Sequence, residues 1–273
     1  MPRSTDPSAR SFSLTYRDRF NIRDKAEGLT EPSGLALSHG KKALWTISDD
    51  TKKIFKLSLD GKLKKSKSFA IEDSGLEGIA LDPTGDFLLT VREETNEILK
   101  IEIDSHRVES HPLADMAGYD AIAHYFANDR ENKGLEGITC NDRTAAIFVI
   151  KESYPALLVE ISPDLHAIQN HRVMTSESGF RDAQVGPDEL DFSDLCYDPS
   201  RDALWIVSDM AARLFLYDYK TDKVIGTAKL TYKRKGKDRE IEKAEGLAVD
   251  PDTNRLYVVS DEEARLYVFE IRC

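Results

Sequence analysis

The segment Glu77-Gly78-Ile79-Ala80-Leu81-Asp82 is the most informative part of the sequence, because close copies of it recur along the whole chain. The copies are SGLAL at 33–37, EGITCN at 136–141, SDLCYD at 193–198 and EGLAVD at 245–250. Their second residues lie 44, 59, 57 and 52 residues apart. Repeats of about 40 to 50 residues are typical of four-stranded propeller blades, and loop insertions account for the longer spacings.

A second apolar run follows every copy after a turn, which indicates that the first two strands of each unit form a hairpin. The turns include Asp82-Pro83-Thr84-Gly85, in which proline presets the backbone. A third run with strand alternation follows in all five units, and a fourth follows in four of them. The last unit ends at Cys273 without a fourth strand, whereas Ser11 to Tyr16 alternates like a strand ahead of the first copy.

These patterns predict an all-β fold, a β-propeller of five blades, in one domain over residues 1–273 with a flexible tail over 1–10. We expect the N-terminal strand to complete the last blade, since an open joint would expose unpaired strand edges. A six-bladed propeller stays open, because Lys25 to Leu29 repeats the sequence of Lys243 to Leu247. Two packed β-sandwiches would also give short strands with turns, but they would not explain the repeated start.

The formal net charge of −11 argues against nucleic acids and membranes as partners, because phosphate backbones and anionic lipids would repel an acidic protein. One basic run, Lys233 to Arg239, is interpreted as a solvated loop or a local anion contact. The three cysteines lie far apart without a CxxC spacing, which indicates neither a disulfide framework nor a zinc site. The first residues lack the apolar run of a signal peptide, which predicts a cytoplasmic location.

Four segments carry a resemblance to a known family, and they are EPSGLA at 31–36, GLEGIA at 75–80, NKGLEG at 132–137 and LDFSDL at 190–195. Over nearly its whole length the chain resembles the SdiA-regulated family. The resemblance implies a β-propeller similar in architecture to calcium-dependent, phytase-like propellers, in a family whose activity is largely uncharacterised. Because many such proteins are exported, the resemblance also leaves an exported origin open.

Acidic residues recur where the first strand of each unit begins and where the second strand ends. These two ends lie on the same side of an antiparallel hairpin, and around a propeller axis they converge. The strand starts are Ser33, Glu77, Glu136, Ser193 and Glu245, and the residues after the second strands are Asp49, Glu93, Glu152, Asp209 and Asp261. We therefore predict a ring of eight carboxylates at one mouth of the central channel.

Carboxylates brought so close together repel one another unless they are solvated, protonated or bridged by a cation. Oxygen ligands favour Ca²⁺ first and Mg²⁺ second, and the absence of histidine from these positions disfavours zinc. We expect the three strand-start glutamates to lie nearest the axis. The alternative is that each acid caps a turn or binds backbone amides of the neighbouring blade, without a metal.

Three long connections, 114–134, 175–192 and 232–244, rise on the acidic side by the same reasoning, and loops of this length tend to be functional. Candidate ligand contacts at the mouth are Ser33, Ser193, Arg92, Lys151, Tyr119 and His124. The sequence thus predicts a small oxygen-rich molecule or a protein as the ligand there. Phosphoester or ester hydrolysis is the reaction if the site is catalytic. A non-catalytic scaffold that binds a protein partner is the alternative, because fold does not fix function.

Overall fold

The computed structural model describes residues 12–48, 51–127 and 133–272 and arranges them in five four-stranded antiparallel sheets. The chain begins with β1 (Ser13–Asn21), which belongs to the last sheet. The predictions for the tail over 1–10 and for Asp49 lie outside the described residues.

The first two blades, each given from its inner to its outer strand, are β2 (Pro32–Leu37), β3 (Ala43–Ser48), β4 (Lys53–Ser58) and β5 (Phe69–Ala70), then β6 (Leu76–Leu81), β7 (Phe87–Arg92), β8 (Glu97–Glu102) and β9 (Val108–Pro112). The next two are β10 (Leu135–Cys140), β11 (Ile147–Lys151), β12 (Leu157–Ile161) and β13 (Ile168–Val173), then β14 (Asp194–Asp198), β15 (Ala203–Ser208), β16 (Arg213–Asp218) and β17 (Lys223–Lys229). A separate hairpin, β18 (Thr231–Arg234) and β19 (Lys237–Glu240), precedes the fifth blade, which consists of β20 (Ala244–Asp250), β21 (Arg255–Ser260), β22 (Arg265–Arg272) and β1.

The inner strands β2, β6, β10, β14 and β20 contact one another in a closed ring, which confirms the predicted five-bladed propeller. The N-terminal strand closes it as predicted, because β1 pairs with β22 from Ser13 opposite Arg272 to Asn21 opposite Arg265. The six-bladed alternative is wrong. Residues 25–28 form a turn that a bridge between Asp24 and Leu29 closes, so they provide no further blade.

The core consists of apolar layers between neighbouring blades. Every residue of β3 and of β15 is buried, since both faces of these second strands lie against other side chains. Trp45 and Trp205 are 3% and 0% exposed, as expected for core residues at matching positions. Each fully buried leucine or isoleucine contributes roughly 1.5 to 3 kcal/mol of transfer free energy. The layers therefore hold each blade at a fixed angle to the next, and with it the ends of the inner strands.

Helices are few in the described part of the chain: α1 (Ala123–Phe126) and three short 3₁₀ segments over Lys65–Lys67, Leu113–Asp115 and Tyr119–Ala121. Within those same residues, no helix has the length and apolar character needed to cross a bilayer. The basic run predicted as a loop forms most of the β18–β19 hairpin, and the residues of β19 are exposed.

Candidate functional site

A pocket of about 410 Å³ lies at the mouth where the inner strands begin and the second strands end. Acidic side chains dominate its wall, and two lysines and two serines complete it. The lining residues are Glu31, Ser33, Glu77, Glu93, Lys133, Glu136, Glu152, Asp191, Ser193, Asp209, Lys243, Glu245 and Asp261.

Backbone irregularities direct the strand-start residues toward the axis. In blades two, three and five the register between the inner and the second strand shifts at Glu77, Glu136 or Glu245, each of which stands one residue before a glycine. In blade one the shift comes directly after Ser33, at Gly34. Such bulges turn a side chain away from the regular alternation of a strand and are common beside functional sites. The repeated residue before the glycine therefore faces the pocket rather than an inter-blade layer.

Three of these acids, Glu93, Glu136 and Glu152, form the tightest group. Each offers a carboxylate oxygen, and these three oxygens all lie within 4.8 Å of one another. Burial raises the pKa of Glu136 well above its ordinary range, and the negative charges of Glu77 and Glu93 raise it further. Burial also raises the pKa of Glu93, against a hydrogen bond from the backbone N–H of Gly134. Without a bound cation, burial therefore favours the protonated forms of Glu93 and Glu136.

The opposite wall of the pocket has the same character. Burial raises the pKa of Glu245 to about 8; the charges of Asp209 and Asp261 add to this effect, and Lys243 opposes it. Burial, together with the hydrogen bond to Asp209 and the charge of that residue, raises the pKa of Asp191 to about 7. At neutral pH the pocket therefore holds several carboxyl groups that are protonated in whole or in part.

Several acids also have partners on the protein. Ser33 Oγ donates to Glu77 Oε2 at 2.7 Å, and Lys133 Nζ donates to Glu152 Oε2 at 2.6 Å. Lys243 Nζ lies 3.7 Å from Glu245 Oε1. Burial lowers the pKa of Lys133, but the hydrogen bond and charge of Glu152 outweigh burial, so the net direction is upward. The two lysines offset only part of the negative charge in the wall.

The structure brings together nearly all the predicted ring. The strand-start residues Ser33, Glu77, Glu136, Ser193 and Glu245 and the following acids Glu93, Glu152, Asp209 and Asp261 all line the pocket. Asp49 is the one member of the ring that falls outside the described residues.

Four other predicted ligand contacts do not line the pocket. Arg92 pairs with Asp73 and Glu97 at the edge of its own blade. Lys151 is buried, and its Nζ donates to the carbonyl oxygen of Ser153. The side chains of Arg92 and Lys151 therefore point away from the pocket, as strand alternation after the neighbouring acid predicts.

Tyr119 and His124 lie on the connection between blades two and three. Ala117, two residues before Tyr119, pairs with Ala167 in the turn between the outer strands of blade three. Tyr119 packs against the apolar layer of blades two and three, and the ring of His124 contacts that of Tyr125, which in turn approaches His171 of β13. This connection therefore places both side chains at the outer rim instead of the mouth.

Four lining residues were missed: Glu31, Lys133, Asp191 and Lys243. Glu31, Asp191 and Lys243 each stand two residues before a strand-start residue, and Lys133 stands three before Glu136. All four lie at the ends of the connections into the inner strands. Residues two apart in extended chain face the same side. Reading the repeat two residues further toward the N-terminus would have found Glu31, Asp191 and Lys243.

The donor set of the pocket consists of oxygen and lysine nitrogen, with no histidine or cysteine among the described lining residues. Carboxylate oxygens are the ligands that hard cations such as Ca²⁺ and Mg²⁺ prefer. Hydroxyl and ammonium groups beside them can hydrogen-bond an oxygen-rich molecule. The residues present therefore fit a hard divalent cation and do not fit zinc.

Among solved structures, the fold is similar to that of glutaminyl cyclase from Myxococcus xanthus, with a TM-score of 0.63 and 14% sequence identity over 96% of this chain and 97% of that chain. A structure of streptogramin B lyase matches with a TM-score of 0.48 and 13% identity over 88% of this chain and 65% of that chain. At such low identity, the first likeness shows the propeller fold alone. The family model described as SdiA-regulated matches residues 12–270. The resemblance seen in the repeats is thereby confirmed, and the chain belongs to the SdiA-regulated family.

Proposed function

We propose that the acidic pocket binds a divalent cation, Ca²⁺ in preference to Mg²⁺, and together with it a small oxygen-rich ligand. One observation carries the proposal: the carboxylate oxygens of Glu93, Glu136 and Glu152 lie within 4.8 Å of one another. Three carboxylates at this separation repel strongly in a partly buried site, and a cation bound among them would replace repulsion by attraction.

The choice of ion follows from the chemistry of the group. Ca²⁺ accepts six to eight oxygen ligands in flexible geometry, whereas Mg²⁺ requires a near-ideal octahedron and keeps several waters. The pocket offers many carboxylates on separate blades, which suits an ion that tolerates irregular ligand positions. Ser33, Ser193, Lys133 and Lys243 would then contact the ligand from the wall.

Hydrolysis of a phosphoester or carboxylic ester is the reaction that we propose for this site. A bound cation would supply Lewis-acid polarisation of the substrate oxygen. Lys133 and Lys243 would bind an anionic group of the substrate. Glu245, whose pKa is about 8 in the metal-free pocket, would take a proton from water once the bound cation has displaced its own proton. Release of nitrophenol from p-nitrophenyl phosphate and p-nitrophenyl acetate, with Ca²⁺ or with chelator, tests this reaction.

A non-catalytic scaffold with structural acidic caps is the second candidate. The bonds of Glu77 to Ser33 and of Glu152 to Lys133 favour it, because these acids already have partners on the protein. In that case the pocket needs no ion, and the ligand at the mouth is a protein partner.

Thermal unfolding with and without Ca²⁺ separates the two candidates. A ligand at about a hundred times its Kd adds about 2.7 kcal/mol to the free energy of unfolding. We expect saturating Ca²⁺ to raise the Tm of the wild-type chain by about 5 °C, and Mg²⁺ to raise it less. Glu136→Gln removes a central carboxylate, so we expect its Tm without metal to be unchanged or higher and the calcium effect to disappear.

The matched control is Asp104→Asn, which removes an exposed acid remote from the pocket. This variant should keep the full calcium effect. The cation proposal fails if Ca²⁺ stabilises Glu136→Gln as much as wild type, or if neither ion changes the wild-type Tm. The latter result would favour the scaffold.

A further inference from the structure

One copy of the repeat departs from the others at the residue nearest the axis. Four copies have glycine there, at Gly34, Gly78, Gly137 and Gly246, and the fourth copy has Asp194. A Cβ on any of the four glycines would come within 2.6 to 2.8 Å of the backbone of the next inner strand. Between Gly137 and its neighbour, that backbone atom is the Cα of Asp194. The five positions therefore form a tight ring, and Asp194 is the member with a side chain.

The Asp194 side chain is fully buried within this ring, with 0% exposure. Its Oδ2 accepts a hydrogen bond from Leu247 N of blade five at 2.8 Å. The backbone N–H groups of Leu195, on its own blade, and of Leu35, on blade one, also interact with the carboxyl group, but burial outweighs these donors and raises the pKa of Asp194 well above its ordinary range. Leu247 and Leu35 each follow the glycine of their repeat, so equivalent backbone donors of different blades point to one spot.

The origin of these donors is the architecture itself. The inner strand of each blade has no partner on its axial edge, so some of its N–H groups face the channel without a strand to accept them. An oxygen acceptor on the axis is the natural partner for such a group of donors. Asp194 Oδ1 accepts no hydrogen bond of ordinary geometry from the described residues, so the carboxyl group retains unused acceptor capacity.

We propose that the axis of this propeller is a binding site for a small carboxyl group, and that Asp194 supplies that group from the chain itself. Because the side chain fills the ring, it also divides the channel into two separate pockets. On one side lies the acidic pocket, and on the other a pocket of about 320 Å³ lined by residues that include Leu35, Ile79, Ile138 and Leu195. The proposal does not depend on the cation proposal, since Asp194 lines neither pocket.

Chemical rescue tests the proposal. Asp194→Ala removes the carboxyl group and leaves the backbone donors without an acceptor, so we expect its Tm to fall by about 5 °C or more. Sodium formate, which is small enough to replace the missing group, should then raise the Tm of this variant in a saturable manner, relative to sodium chloride at equal ionic strength. Wild type should show no such difference, because its site is filled.

Ile206→Ala is the matched control, because Ile206 is equally buried in the same blade but carries no hydrogen-bonding group. Formate should not rescue it. The proposal is overturned if Asp194→Ala is as stable as wild type, or if formate stabilises Asp194→Ala and Ile206→Ala alike. Should Asp194→Ala fail to fold, Asp194→Gly, which restores the residue of the other four copies, replaces it. Its yield on refolding from urea should be higher with sodium formate than with sodium chloride, and equal yields would overturn the proposal.

Discussion

Glu245 keeps a proton in the folded chain that the unfolded chain would release. Burial and the charge of Asp209 raise its pKa to about 8, whereas an unperturbed glutamate has a pKa of 4.5. A protonated carboxyl group in the wall is compatible with a pocket that has little positive charge. Any cation that binds must displace such protons, so its affinity is expected to increase with pH.

The raised pKa of Glu245 predicts an unusual pH dependence of stability in metal-free protein. The contribution of Glu245 to the free energy of unfolding is most favourable below pH 4.5, where this residue is protonated in both the folded and the unfolded chain. That contribution is lost as the pH rises through 8, the pKa in the folded chain. At about 1.4 kcal/mol for each unit of pKa difference, we expect the titration of Glu245 to lower the free energy of unfolding by about 5 kcal/mol across that window. Glu245→Gln removes the titration, so its free energy of unfolding should decline less between pH 5 and pH 8.

Urea denaturation at several pH values with chelator measures this effect. Asp104→Asn serves as the control and should follow the wild-type profile, since Asp104 is exposed and lies outside the pocket. Parallel wild-type and Glu245→Gln profiles would contradict the assignment.

The individual members of the ring of acids could be predicted from the sequence, because they repeat at the two ends of every hairpin. The sequence could not say which neighbours join them. Arg92 and Lys151 are adjacent to ring acids in the chain, but strand alternation turns them away. Lys133 belongs to an irregular connection whose course has no periodic pattern, so its approach to Glu152 depends on the folded loop.

Among the elements, the inner strands tolerate the least change. A Cβ at Gly78 would lie 2.6 Å from the carbonyl oxygen of Glu136 and 2.6 Å from Gly137 Cα, and both atoms belong to the backbone of the next inner strand. Since backbone on both sides is fixed by its own sheet, neither strand can yield without disturbing the apolar layer behind it. Glycine at this position therefore sets the diameter of the ring.

Gly78→Ala is expected to destabilise the protein by about 3 kcal/mol, the upper range for overpacking of a close-packed interior. Gly40→Ala is the control, because a Cβ at Gly40 would meet nothing within 4 Å. It should leave the free energy of unfolding within about 1 kcal/mol of wild type. Equal urea midpoints for the two variants would show that the inner strands are not in tight contact.

The element that sequence patterns missed is the β18–β19 hairpin. Its residues include the basic run, and β19 is exposed at every position. A strand is recognised from the alternation of buried and exposed residues, and this hairpin, in which Tyr232 is the one buried residue, has no such pattern. The twenty strands of the blades, by contrast, repeat a pattern that burial between blades imposes.

For the whole molecule, closure of the ring rests on the pairing of β1 with β22. The five-bladed count and this closure could both be predicted, because five repeat starts with only four outer strands after them require an outer strand from elsewhere. Phe12, Leu14 and Tyr16 also pack against the layer between blades four and five. The N-terminal strand thus contributes both backbone hydrogen bonds and apolar contacts.

A chain that begins at residue 22 lacks β1 and exposes the edge of β22. We expect its Tm to fall by about 10 °C and the truncated chain to associate, because an open edge pairs with other chains. A synthetic peptide of residues 12–21 should restore the Tm, and a scrambled peptide should not. Arg17→Ala, which removes only the exposed ion pair with Glu270, should change stability by less than about 1 kcal/mol. A truncated monomer with the wild-type Tm would contradict this role of β1.

Because the fifth blade combines β1 with β20, β21 and β22, a nascent chain on the ribosome contains β1 before blades one to four but obtains the partner of β1 after them. Blades one to four can form in order of synthesis, yet β1 must remain unpaired until β22 has left the exit tunnel. The time between these events grows with every residue translated. A slow translation step ahead of the codons for β22 would therefore prolong the period in which chaperones, or other nascent chains, can capture this strand.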